Sequence, residues 1–149
     1  MTLKDSRTEQ HLRDAFASDA EANRRYLYQA ARADGEGNKD AAAVLRSNAE
    51  GSTGHAHGHL DYLEAMHAGT ELADEGEIDE DALTRRYLAE SLAAETAAYT
   101  ERFPEYAKVA REEGLDEIAE WFETLAVEKR KHSKRLQKAL HALDDNRNG

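Results

Sequence analysis

Along most of the chain, apolar and aromatic residues return every three or four positions. From about Thr8 to Ala33 one stripe carries Leu12, Phe16, Asp19, Asn23, Tyr26 and Ala30, the spacing of a single α-helix face. Gly35-Glu36-Gly37-Asn38 ends that segment. A second stripe, Leu45, Ser52, His55, His59, Tyr62 and Met66, predicts a helix over residues 39–67, although Gly51, Gly54 and Gly58 weaken it. A third helix is predicted over 81–113, aligning Leu88, Leu92, Glu95, Tyr99 and Tyr106, with Pro104 as an expected kink and Gly114 at its end. The last, over 116–143, aligns Ile118, Phe122, Leu125, Lys129, His132 and Leu136, and the polar tail 144–149 is expected to fray.

Between the second and third helices the polar stretch Ala68 to Asp79 is long enough to run from one end of a helical bundle to the other. That crossover predicts an all-α, antiparallel four-helix bundle of ferritin-like topology, folded as one domain over residues 1–149. The two halves also resemble each other at a shift of 76 to 77 positions: Asp19 falls on Glu95, Ala31 on Ala107, Leu45 on Phe122, Ala49 on Ala126 and His55 on His132. A duplicated helical hairpin is the simplest origin of such a pattern.

Composition agrees with helices and restricts the chemistry. The 149 residues are 40% hydrophobic, with alanine supplying much of that share, so a core lined with small side chains is expected. A net charge of -11 leaves no cationic face for nucleic acid or for an anionic membrane. No run approaches the roughly 20 apolar residues of a membrane span, and the polar start MTLKDSRTEQ lacks a secretory hydrophobic region. A cytoplasmic protein is expected. With no Cys, thiolate catalysis, disulfides and sulfur-ligated metal are excluded within this sequence, so any metal would be held by carboxylate and imidazole.

Each stripe is interrupted near its midpoint by polar residues: Asp19, then Ser52 with His55, then Glu95, then Lys129 with His132. Charges placed on apolar faces need partners or metal, so four interruptions at one level predict one shared site. Two-metal carboxylate bundles place a lone Glu on each of two helices and a Glu-x-x-His pair on each of the others. Here both lone carboxylates remain, as Asp19 and Glu95, and so do both histidines, His55 and His132. The acidic partners have become Ser52 and Lys129.

The segments AFASDAEANRRYLYQAARADGEGN, NAEGSTGHAHGHLDYLEA and AAETAAYTERFPEYAKVAREEGLDEIAEWFETLAVEKRKHSKRLQKAL resemble the iron-binding domain of the rubrerythrin family. By position, that resemblance implies candidate metal ligands at Asp19, His55, Glu95 and His132, lost ligands at Ser52, Ala98 and Lys129, and Tyr26 as a residue beside the metals. Family members commonly reduce hydrogen peroxide at two irons and often carry a rubredoxin module with four Cys; this sequence contains no Cys.

The missing carboxylates at Ser52 and Lys129 are those that would bridge two metals, and hard iron ions need several anionic oxygens. The expected state is metal-free, with Lys129 paired to Asp19 and Glu95 and a structural or partner-binding role. One zinc or iron ion on His55, His132, Glu95 and Asp19 is the alternative. The third reading is a peroxide-reducing di-iron centre completed by Glu21, Glu50 or Glu128, which lie off the stripe. His55 and His59, spaced i, i+4, suggest a further metal pair, with His57 expected as a solvated residue and His59 as a half-buried polar contact. Tyr26, Tyr28, Tyr99, Tyr106 and Trp121 are expected in the core. A homodimer is expected from the resemblance, with an unidentified protein as a further partner.

Overall fold

A computed structural model describes residues 2–73 and 81–148. All its regular structure is helical: α1 (Arg7–Gly35), α2 (Lys39–Ala73), α3 (Ala82–Ala97), a π-turn (Ala98–Arg102), α4 (Phe103–Glu112) and α5 (Asp116–Asn148). Counting α3, the π-turn and α4 as one interrupted rod, this is the helix content and order of a ferritin-like four-helix bundle, with no strand among the described residues. The chain divides into two compact units, Met1–Gly76 and Glu77–Gly149. The first is the antiparallel hairpin α1/α2, and the second packs α3, the π-turn and α4 against α5.

The expected crossover, Ala68 to Asp79, is helical as far as Ala73, and residues 74–79 of it lie outside the described residues. The tail expected to fray is instead the last part of α5, which continues to Asn148. Arg85 Nε donates to Asp144 Oδ1 at 2.9 Å, so α3 ties down a carboxylate that the sequence placed in a loose tail.

Both hairpins turn in the same way. Gly37 (φ 83°) and Gly114 (φ 78°) adopt the left-handed conformation that glycine alone takes without strain. Around the first, Gly37 N donates to Asp34 O and Asn38 N to Ala33 O. Around the second, Gly114 N donates to Arg111 O and Leu115 N to Ala110 O. These paired bonds form a Schellman ending, which satisfies carbonyls that the finished helix leaves open. An ion pair closes each turn with its polarity reversed, Asp34 with Arg46 in the first and Arg111 with Glu123 in the second. The Arg111 guanidinium is held above its ordinary range, chiefly by its hydrogen bond to Glu123 and then by that carboxylate's charge.

The cores are seams of alanine. Ala30, Ala42, Ala49 and Ala56 are buried in the first hairpin with Leu63, and Ala98, Ala107, Ala110 and Ala119 in the second. Ala42 and Ala119, both fully shielded, are equivalent in the repeat. Small side chains let paired helices approach closely along the seam, and larger groups such as Phe122 fill its edge. Phe122 meets Phe103 and Tyr106 with ring centroids 6.0 and 5.5 Å away.

The seam also corrects several expected core positions. Tyr28, Tyr106 and Trp121 are exposed. Trp121 sits beside Phe122 in sequence, about 100° around the helix, so with Phe122 at the seam Trp121 lies off it. Tyr28 lies under the Arg32 guanidinium at 5.2 Å and accepts its hydrogen bonds, making a surface cation–π pair. On α2 the buried line runs Ala42, Ala49, Ser52, Ala56, Leu63, which leaves His55 and Tyr62 on its exposed border.

The repeat shift of 76 becomes 77 for a structural reason. Asp19 and Glu95 are 76 apart, whereas the buried pair Ala30 and Ala107, and the turn glycines, are 77 apart. Between Glu95 and Ala107 lies the π-turn, in which Phe103 N donates to Ala98 O, five residues back. A π-turn takes in one extra residue without rotating the next stretch of helix off its face. Pro104 sits just beyond, at the start of α4, so the kink expected at Pro104 takes the form of a widened turn.

Candidate functional site

In the first hairpin, α1 presents Asp19 and α2 presents His55 and His59. Asp19 Oδ2 lies 2.8 Å from His59 Nε2, and Asp19 Oδ1 lies 3.8 Å from His55 Nδ1. The Asp19 and His59 side chains are about one-quarter exposed, whereas that of His55 is 70% exposed. His57 points to solvent. Ser52 is buried on the seam, where its Oγ donates to Asn48 O at 2.9 Å. Tyr26 is half-buried on α1.

Asn23 sets the register of this group. One turn along α1 from Asp19, its Nδ2 donates both to Ala49 O and to Thr53 Oγ1, each at 2.8 Å. With that clasp made, the next turn of α1 brings Asp19 opposite the two histidines. Asn23→Ala is expected to lower unfolding free energy by about 2 kcal/mol, since two hydrogen bonds that bridge α1 and α2 are lost. Urea denaturation measures this, and a loss below about 0.5 kcal/mol would remove Asn23 from the positioning role.

In the second hairpin, Lys129 Nζ lies 3.4 Å from Glu95 Oε1, and His132 Nδ1 lies 3.5 Å from Glu95 Oε2. The Glu95 and Lys129 side chains are 23% and 31% exposed. Glu95 Oε2 is itself buried and has no hydrogen-bond partner among the described residues. A second clasp, Thr96 Oγ1 with Ser133 Oγ at 3.1 Å, joins α3 to α5 at the residues next to Glu95 and His132. Ala98 is buried at the first position of the π-turn and offers no donor.

Thus the Lys129–Glu95 contact is present, and Asp19 finds partners within its own hairpin that the stripe pattern did not assign to it. A signal for them does exist in the sequence. Positions equidistant from Gly37 face each other across an antiparallel hairpin, and Asp19 and His55 are equidistant from it. The substitute ligands are engaged elsewhere: Glu21 pairs with Arg25 at 2.8 Å, and Glu128 with Lys131 at 3.0 Å. The Glu128 carboxyl is held below its usual range, first by the Lys131 hydrogen bond and then by its charge. Glu50 is exposed.

Ser52 Oγ is committed to the backbone, Ala98 has no donor, and the Lys129 ammonium sits beside Glu95 Oε1. Among the described residues no group of three or more His, Asp and Glu side chains is placed so that it could hold a metal ion. No described helix is long and apolar enough to cross a membrane.

Residues 10–140 match the sequence profile of rubrerythrin. The chain is similar to a rubrerythrin of Nitratidesulfovibrio vulgaris, with 35% identity over 91% of this chain and 70% of that protein. It is also 34% identical to a rubrerythrin of Porphyromonas gingivalis, over 97% of this chain and 71% of that one. Rubrerythrin-1 of Clostridium acetobutylicum is 26% identical over 98% of this chain and 76% of its own length.

Proposed function

The chain belongs to the rubrerythrin family, and from that premise we propose that it does not assemble the family's two-iron centre and does not reduce peroxide there. Its role is non-catalytic, structural or partner-binding, with ion pairs holding the polar layer in place of metal. The observation that carries this reading is Lys129 Nζ at 3.4 Å from Glu95 Oε1, a fixed cation beside a carboxylate position where the resemblance implies iron. Bringing two metal dications close together requires bridging anions, and an ammonium group instead adds repulsion.

The pair also supports the fold. A half-buried carboxylate without a counter-charge is costly, and Lys129 supplies that charge on the neighbouring helix. Supporting the same reading, the shift-equivalent residue in the first half is the neutral Ser52, which is packed and hydrogen-bonded within α2.

The purified protein, exposed to ferrous iron in air and then passed through a desalting column, is expected to retain no pair of irons and to develop no oxo-bridged iron absorption. Iron, zinc and manganese are quantified on the same sample. Two tightly held irons per chain would sink the proposal.

A further inference from the structure

We infer that two copies of this chain associate through α5, paired antiparallel about Val127, so that the acidic first half of each helix's exposed stripe meets the cationic second half of the other's. The inference is independent of the proposed function, because the stripe consists of exposed positions and includes neither Lys129 nor His132.

Its basis is the order of charge along one helix face. On the exposed side of α5, steps of four and three residues run Asp116, Glu120, Glu123, Val127, Arg130, Lys134, and a further step of four reaches Lys138. That spacing keeps to a single stripe. Every ionisable residue of the stripe before Val127 is acidic and every one after it is basic. Val127 stands at the boundary with 56% of its surface exposed. Lys131 and Arg135 widen the cationic half. Glu128, at the margin, is already bonded to Lys131 at 3.0 Å.

Within one chain this sorting is unfavourable. Like charges four residues apart on a helix repel, and Asp116 with Glu120, Arg130 with Lys134, Lys134 with Lys138 and Lys131 with Arg135 are all such pairs. The helix dipole favours acids in the first turn and bases in the last, but its influence ends within a turn of each terminus. Lys138 is still ten residues from the end of α5 at Asn148, and the final turns carry Asp144 and Asp145 instead. Ion pairs inside the hairpin relieve part of the acidic half: Arg111 holds Glu123 at 2.8 Å and reaches Asp116 at 3.8 Å. Glu120, Arg130, Lys134 and Lys138 have no ion-pair partner among the described residues. The duplicated half provides a control. At the 77-residue shift the equivalent stripe of α2 reads Lys39, Ala43, Arg46, Glu50, Thr53 and His57, with no such sorting, so the hairpin scaffold does not require it.

A second α5 turned end for end supplies the missing counter-charges. Positions equally far from Val127 then face each other: Glu123 and Lys131 at four residues, Glu120 and Lys134 at seven, Asp116 and Lys138 at eleven. A two-fold axis repeats each of these pairs along about 33 Å of helix, with Val127 against its own copy at the centre. Parallel pairing would set like charge against like. A polyanion would match the cationic half and be repelled by the acidic half, so the stripe fits a partner with the reversed order of charge, which the antiparallel copy has.

Sedimentation equilibrium of the full chain in about 50 mM NaCl is expected to show a dimer with a Kd of about 10 µM or tighter, weakened about tenfold or more in about 500 mM NaCl. Glu120→Lys and Lys134→Glu are each expected to weaken it about 100-fold, because the axis doubles every like-charge contact created. The double variant should dimerise as the parent does, and an equal mixture of the two single variants should form a heterodimer. Both positions are exposed, so circular dichroism should show unchanged helix content. The sequence has no Cys, so Val127→Cys introduces one thiol; it should give a disulfide-linked dimer on mild oxidation, whereas Gln137→Cys, ten residues from the axis, should not. A parent chain that stays monomeric at about 100 µM in low salt, or single charge variants that dimerise as the parent does, would overturn the inference. So would a monomer held on heparin through Lys134, which would assign the cationic half to a polyanion. Absence of the Val127→Cys linkage would overturn it even if a charge variant failed to fold.

Discussion

Replacing Ser52, Ala98 and Lys129 together by Glu is expected to give a protein that takes up two iron ions per chain. Each substitution returns a carboxylate to a position where the rubrerythrin resemblance implies one, and the third also removes the ammonium at 3.4 Å from Glu95. Without metal the variant should be less stable than its parent by about 2 kcal/mol or more, because an attraction becomes a repulsion between carboxylates and Ser52 is a buried position. Ferrous iron should reverse that loss. A ligand present at 1,000 times its Kd stabilises the folded state by about 4 kcal/mol. The variant's melting temperature should therefore rise steeply with iron while the parent's hardly moves. Metal analysis and anaerobic thermal melts give two independent readings. A triple variant that folds, as judged by circular dichroism, yet melts identically with and without iron would show that the three positions are wrongly assigned.

How far the sequence led can be judged from single positions. The stripe of α1 was legible in full: Leu12, Phe16, Asp19, Asn23 and Tyr26 are all half-buried and Ala30 is buried. The alanine-lined seam followed from composition, and the duplication extends to the turn glycines and the fully shielded pair Ala42 and Ala119. Less legible was which of two neighbouring residues faces the seam. Periodicity fixes a helix face only to within about one side-chain step of 100°. That step separates Ala56, buried, from His55, exposed, and Phe122 from Trp121.

At the site, the residue types were legible, and their pairing only through positions equidistant from Gly37. Sequence spacing along one helix brings His55 and His59 to one side, but the carboxylate between them belongs to the other helix. Its register depends on Asn23, whose two hydrogen bonds cross the hairpin. The spacing from Gly37 places Asn23 opposite residue 51, but not which atoms on either side of it the amide will bond. The π-turn was hidden for a related reason: its one visible trace is the change of repeat shift from 76 to 77, which reads as alignment noise until the extra residue is seen in the helix.

Changing Gly51, Gly54 and Gly58 together to Ala is expected to stabilise the chain by about 2 to 3 kcal/mol and to raise its melting temperature by about 5 to 10 °C. All three lie within α2, none has a positive φ, and a methyl group added at each meets nothing within 4 Å. No steric penalty therefore opposes the gain, which comes from the freedom that glycine has in the unfolded chain and loses in a helix. The turn glycines provide the contrasting case. Gly37→Ala and Gly114→Ala also meet open space, but their φ values of 83° and 78° force a side chain into the left-handed region. Each should lower stability by about 1 kcal/mol or more. Opposite signs at glycines with equal space would show that backbone conformation, and not packing, decides the outcome. If the triple variant melted lower than its parent, the glycines of α2 would have to serve a close approach by another surface.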